Sequence, residues 1–143
     1  RNSGLVSDNI GITGFCMGGR VAFLMPGINP IFKASVPFYG GSTTTSWGDG
    51  PTPFSLLSNI KCPVQGFFGE DDGNPSPEDM RTLDVELTKY GVPHEFHSYA
   101  DTGHAYMDYT NSNRYRQHAE QASWPLMLAF LEKHLKKTTG PVG

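Results

Sequence analysis

The stretch that decides the reading is Ile10-Gly11-Ile12-Thr13-Gly14-Phe15-Cys16-Met17-Gly18-Gly19-Arg20-Val21-Ala22-Phe23-Leu24-Met25. Its first six residues are apolar and partly β-branched, as a short buried strand requires. The residues after Cys16 read as a helix, expected to stop near Pro26. Strand, sharp turn and helix therefore meet at Gly14-Phe15-Cys16-Met17-Gly18, a G-x-C-x-G pattern that is the nucleophile elbow with cysteine in place of serine. The tip of such a turn is strained, and the residues two before and two after it approach too closely for side chains, a need that Gly14 and Gly18 meet. A thiol at the tip sits at the positive end of the following helix, which favours the thiolate and is expected to lower the pKa of Cys16. The backbone N–H of Met17 can then face a developing oxyanion. The competing reading makes Cys16 a buried small hydrophobe or an oxidant sensor, and keeps the fold while dropping turnover.

Working outward, Ala34-Ser35-Val36-Pro37-Phe38-Tyr39 is a second apolar run that ends in Gly40-Gly41 and leads into a polar loop from Ser42 to about Pro53. Cys62 to Phe68 is a third strand candidate. Pro77-Glu78-Asp79 opens a helix that runs to Tyr90, with Leu83 and Leu87 four apart and Gly91 after its end. His94 to Tyr99 alternates as a fourth strand, and Arg114 to Lys137 carries a helical pattern through Ala122, Leu126, Phe130 and His134. Strands and helices alternate at spacings that forbid hairpins, so the expected class is α/β: a mainly parallel sheet with helices on both faces. Only four strands are available and the first begins within about ten residues of Arg1. Residues 1–143 are accordingly expected to be a single but incomplete domain.

Two further signals fall just past strands, at the sheet edge where the elbow opens. After the third strand comes Phe68-Gly69-Glu70-Asp71-Asp72-Gly73-Asn74. Asp71 is preferred to Asp72 as the carboxylate that orients a histidine, because G-x-D spacing places it first past the strand; the alternative is a turn or capping cluster. After the fourth strand comes Thr102-Gly103-His104-Ala105-Tyr106, and His104 is the general base, since an imidazole ionises near neutral pH. His94 and His97 sit before or within a strand, and His118 and His134 on the last helix are surface or packing residues. The order nucleophile, acid, histidine is the one α/β-hydrolases use. Papain-like enzymes place Cys, then His, then Asn.

Other chemistries fail on spacing or composition. A Walker loop needs Gly-Lys-Ser/Thr where Gly19-Arg20-Val21 stands, and a C-x5-R phosphatase loop finds Ala22 at the Arg position. His94-x-x-His97 on a strand sends its rings to opposite faces, so no metal is expected. With 14 acidic against 11 basic residues, the latter scattered, nucleic acid is excluded as a partner. No run approaches the roughly 18 apolar residues of a membrane span, and Arg1 to Asn9 has no signal core, so a soluble, cytoplasmic chain without membrane contact is expected. Two cysteines 46 positions apart do not make a disulfide framework.

Gly11-Ile12-Thr13-Gly14-Phe15-Cys16-Met17-Gly18-Gly19-Arg20, Phe68-Gly69-Glu70-Asp71, Gly103-His104-Ala105-Tyr106 and the strand end Tyr39-Gly40-Gly41 together resemble the dienelactone hydrolase (carboxymethylenebutenolidase) family across nearly the whole chain. The resemblance implies a carboxylic ester hydrolase that acts on a small ester or lactone, needs no cofactor, and uses Cys16, Asp71 and His104 as its triad. It also implies that the chain is the C-terminal part of an α/β-hydrolase fold whose N-terminal strands are missing, with about a hundred residues upstream that hold those strands, the second oxyanion donor and a glutamate that controls the thiol. Tyr39, Trp47 and Tyr106 are expected pocket walls. One departure bears on the substrate: members carry an Arg four residues after the triad histidine to bind a substrate carboxylate, and that position here is Asp108.

Overall fold

The computed structural model describes residues 8–136. In chain order they form β1 (Ile10–Phe15), α1 (Met17–Ile28), β2 (Phe32–Phe38), a 3₁₀ helix (Phe54–Asn59), β3 (Val64–Gly69), α2 (Pro77–Lys89), β4 (His94–Tyr99) and α3 (Gln117–Leu135). The four strands make one sheet in the order β1-β2-β3-β4, every neighbouring pair parallel. Strand side chains alternate between two sides, and in the central strands β2 and β3 both sides are buried. Ala34, Val36 and Phe38 of β2 and Phe67 of β3 pack with Ala119, Met127 and Phe130 of α3. On the opposite face, Val64 and Phe68 of β3 pack with Phe23 of α1 and with Leu83 and Leu87 of α2. The expected parallel α/β sheet with helices on both faces is therefore present.

Local chemistry explains the element ends. Ser76 caps α2 through a reciprocal pair: its Oγ accepts from the Asp79 N–H at 3.1 Å, and Asp79 Oδ2 accepts from the Ser76 N–H at 2.9 Å. Gly91, with φ 68°, follows its end. Leu83 and Leu87 are the buried residues of this otherwise polar helix, and each stabilises its seat by about 1.5–3 kcal/mol.

Three features differ from the sequence expectation. First, α1 does not stop at Pro26 but continues to Ile28. Proline removes the N–H that would reach the Ala22 carbonyl, and Ser35 Oγ of β2 donates to that carbonyl instead, at 2.6 Å. Second, α3 starts at Gln117 rather than Arg114, because the N–H groups of Arg114 and Tyr115 close a turn on the Asn111 carbonyl and Arg116 is extended. Third, the 3₁₀ helix has too few residues to show a period, and it buries Leu57. Lys137 and residues 1–7, which include most of the stretch judged to lack a signal core, lie outside the described residues. No helix among those described is long and apolar enough to cross a membrane.

The turn after β1 sets the site. Cys16 has φ 58° and ψ −116°, a conformation that costs a non-glycine residue energy, and the surrounding backbone holds it there. Its N–H donates to the Phe38 carbonyl of β2 and its carbonyl accepts from the Arg20 N–H, both at 3.2 Å. A β-carbon at Gly14 would lie 2.2 Å from the Gly18 oxygen, so this glycine is required, whereas one at Gly18 would meet nothing within 4 Å. The second crowded position is instead Gly19, where a β-carbon would lie 2.3 Å from the Phe38 oxygen. Gly14→Ala and Gly19→Ala are each expected to lower the unfolding free energy by about 1–3 kcal/mol or more, since the clash is with backbone. Gly18→Ala should change it by less than about 1 kcal/mol. Urea unfolding of the three variants in the intact protein checks the contrast, and equal losses at Gly14 and Gly18 would refute it.

Candidate active site

Cys16 is half-buried between two cavities. The larger, of about 540 Å³, is lined by Phe15, Cys16, Tyr39, Met107, Arg114 and Trp124 among others. The smaller, of about 180 Å³, brings Cys16 together with Arg20, Ser42, Trp47, Asn74 and His104. Cys16 and His104, far apart in sequence and both singled out from it, thus face one space.

The carboxylate beside the histidine is Asp72, not Asp71. His104 Nδ1 lies 2.8 Å from Asp72 Oδ2, and the Asp72 side chain is 2% exposed. An ionised carboxylate only accepts, so Nδ1 is the donor in this contact and Nε2 is the ring nitrogen that Asp72 leaves unengaged. Asp71 is exposed. The reason is the turn that leaves β3: the Asp72 N–H returns to the Gly69 carbonyl at 3.2 Å, while the Asp71 N–H is drawn to the Thr102 carbonyl at 2.9 Å. That turn buries the second aspartate and leaves the first in solvent. G-x-x-D rather than G-x-D is the spacing that would have found it.

His104 rides on a loop held from α3. His118 Nε2 lies 3.0 Å from the Ala100 carbonyl and 3.1 Å from Thr102 Oγ1, and Arg116 Nε donates to the Asp101 carbonyl at 2.8 Å. His118 is therefore more than a surface residue, because it ties down the segment before His104. Asp101 and Ala105, at φ 52° and 61°, bracket the strained part of this loop.

The electrostatics of Cys16 also differ from the expectation of a lowered pKa. Burial raises the thiol above its ordinary value; Arg114 pulls it back down, while Asp72 and Asp108 push it up. Burial thus favours the neutral thiol over the thiolate. Position 108 supplies a carboxylate, but Arg114 lines the same cavity as Asp108, so a cation does reach this side of Cys16.

Of the expected pocket walls, Tyr39 lines the larger cavity and stands edge-on to His104 with centroids 5.1 Å apart. Burial raises its phenol pKa, so it keeps a neutral O–H. Trp47 lines the smaller cavity, with the Arg20 guanidinium 3.9 Å above its ring. Tyr106 is not a wall: it is fully buried against Tyr39 and Tyr99 and lines neither cavity. Among the other histidines, His94 is engaged by Asp84 and His97 by Glu95, both away from Cys16.

The family model described as the dienelactone hydrolase family matches residues 1–135. A protein named "Putative carboxymethylenebutenolidase" from Escherichia coli (strain K12) is 32% identical over 136 residues, which cover 94% of this chain and 49% of that protein. The solved structure titled "Putative Dienelactone Hydrolase" from Klebsiella pneumoniae superposes with a TM-score of 0.79 at 27% identity, covering 86% of this chain and 51% of its own. A puromycin-hydrolyzing peptidase of Mycobacterium tuberculosis, at 17% identity and TM-score 0.77, shares the fold over 94% of this chain and 24% of that one. The chain spans about half the length of the curated relatives it matches. The family model spans nearly the whole chain, and the chain belongs to the dienelactone hydrolase family.

Proposed function

We propose that the protein hydrolyses a small carboxylic ester or lactone through a Cys16–Asp72–His104 triad and a thioester intermediate. The observation that carries this reading is the buried Asp72 carboxylate on His104 Nδ1, in a cavity that His104 shares with the strained Cys16. Because burial keeps the thiol protonated, His104 Nε2 first takes the proton from Cys16 Sγ. The thiolate attacks the carbonyl carbon, and the oxyanion accepts from the Met17 N–H at the start of α1, where first-turn N–H groups lack intrahelical partners. Collapse expels the alkoxide, which His104 protonates, and leaves a thioester on Cys16. His104 then takes a proton from water, hydroxide attacks the thioester, and the acid leaves as the thiol is regenerated. No cofactor enters these steps. The aromatic and thioether lining of the larger cavity suits an apolar part of the substrate.

In the intact protein, Cys16→Ala and His104→Ala are expected to abolish aryl-ester hydrolysis. Asp72→Asn should lower kcat by roughly 10³–10⁴, the scale at which a triad aspartate acts, while Asp71→Asn stays within about a few-fold of wild type. Turnover retained in Cys16→Ala, or the reverse ranking of the two aspartates, would end the proposal. Iodoacetamide alkylation of Cys16, followed by peptide mass, should climb with pH through a midpoint above that of an ordinary cysteine, since only the thiolate reacts and burial raises the pKa. Cys62, whose thiol burial pushes up to about 11, should remain unmodified across the same range. Full reactivity of Cys16 at neutral pH would mean that a thiolate already rests there.

A further inference from the structure

Asp72 uses both of its oxygens. Oδ2 meets His104, and Oδ1 accepts the backbone N–H of Asn74 at 2.9 Å. The Asn74 side chain is bonded on the other side: its Oδ1 accepts the Ser42 N–H and its Nδ2 donates to Ser42 Oγ, each at 2.9 Å. The Ser42 carbonyl accepts in turn from the Arg20 guanidinium, which is stacked on Trp47. One unbroken chain of polar contacts therefore runs from the helix behind the nucleophile, across the loop after β2, to the acid beside His104.

Several observations mark this as more than a loop contact. Ser42 holds a φ of 53°, unfavourable for a residue with a side chain, and its N–H, hydroxyl and carbonyl are all engaged by Asn74 or Arg20. A β-carbon at Gly41 would lie 2.6 Å from Asn74 Oδ1, so the loop rests directly on the amide. Arg20 is 2% exposed, and Arg20, Ser42 and Asn74 line the same cavity as Cys16 and His104. The two polar atoms of the asparagine head reach the Ser42 N–H and its hydroxyl together, and the hydroxyl can pair with either a donor or an acceptor.

We propose that Asn74, locked to Ser42 and through it to Arg20, is a positioning residue that holds the Asp72 carboxylate in the orientation His104 requires; this rests on the triad reading above. A carboxylate anchored only at Oδ2 is free to swing about its side-chain torsions. The second bond at Oδ1 removes that freedom; the start of the turn that carries its donor is held by the Gly69 and Thr102 carbonyls, and the Asn74 amide ties its far end to the loop after β2.

In the intact protein, Asn74→Ala is expected to lower kcat for an aryl ester by about tenfold to a hundredfold, with KM within about twofold, because misplacement of a catalytic group acts on the chemical step. It should also slow iodoacetamide alkylation of Cys16. Asn74→Asp, whose carboxylate accepts from both the Ser42 N–H and its hydroxyl, should recover most of the rate. A folded Asn74→Ala with wild-type kcat, or with a change confined to KM, overturns the proposal, as does failure of Asn74→Asp to recover. If Asn74→Ala does not fold, Ser42→Ala decides: it keeps the backbone bond and loses the hydroxyl, so a smaller fall in kcat supports the brace and an unchanged kcat refutes it. Turnover surviving Cys16→Ala would instead overturn the triad reading, whatever Asn74→Ala does.

Discussion

The structure depends on a backbone constraint at one residue. Cys16 occupies a turn that an L-residue adopts only under compulsion, and the compulsion comes from both neighbours of the turn. The Phe38 carbonyl of β2 takes its N–H, and Gly14 and Gly19 let the strand, the helix and β2 approach until no side chain fits between them. Parallel pairing of β1 with β2 brings Phe15 level with Phe38, and this register puts the carbonyl where the turn needs it. The strain at Cys16 is thus offset by sheet pairing and close packing, and the thiol projects beyond the sheet edge because of them.

Everything else at the site is brought to that sulfur by the same edge. In a parallel sheet all strands end together, so the loops after β1, β3 and β4 converge although their residues lie far apart in the chain. The convergence is refined by local turns: the bond from the Asp72 N–H to Gly69 selects which aspartate is buried, and His118 of α3 and Arg116 just before that helix hold the loop that carries His104. The two cavities that meet at Cys16 differ in character. One is walled by aromatic and thioether groups, with Arg114 and Asp108 at its rim; the other is braced by Arg20, Ser42 and Asn74.

Burial and ionisation pull in opposite directions at Cys16. A helix start favours the thiolate, but partial removal from water disfavours it, and in this chain burial wins over the pull of Arg114. The balance favours the neutral thiol, so attack by Cys16 would need a base beside it, the part that the proposed reading gives to His104 and its partner Asp72.

Much was legible in the residues alone. The strand-turn-helix at Gly14 to Gly19, the parallel α/β layering and the placing of Cys16 and His104 at one sheet edge follow from patterns that operate within a few residues: apolar runs, caps, and the glycines of a tight turn. The span of β4 and the start of α2 at Pro77 were readable for the same reason. Tertiary structure decided what depends on partners distant in the chain. Pro26 does not end α1 because Ser35 on another strand satisfies the freed carbonyl. Asp72 displaces Asp71 because a turn and the Thr102 carbonyl set which side chain faces inward. Tyr106 is buried beneath Tyr39 rather than lining a cavity, and the thiol's pKa rises because burial is a property of the folded surroundings and not of the motif. Short-range sterics can be read from neighbours in sequence, whereas desolvation and side-chain direction are set by whatever the fold places alongside.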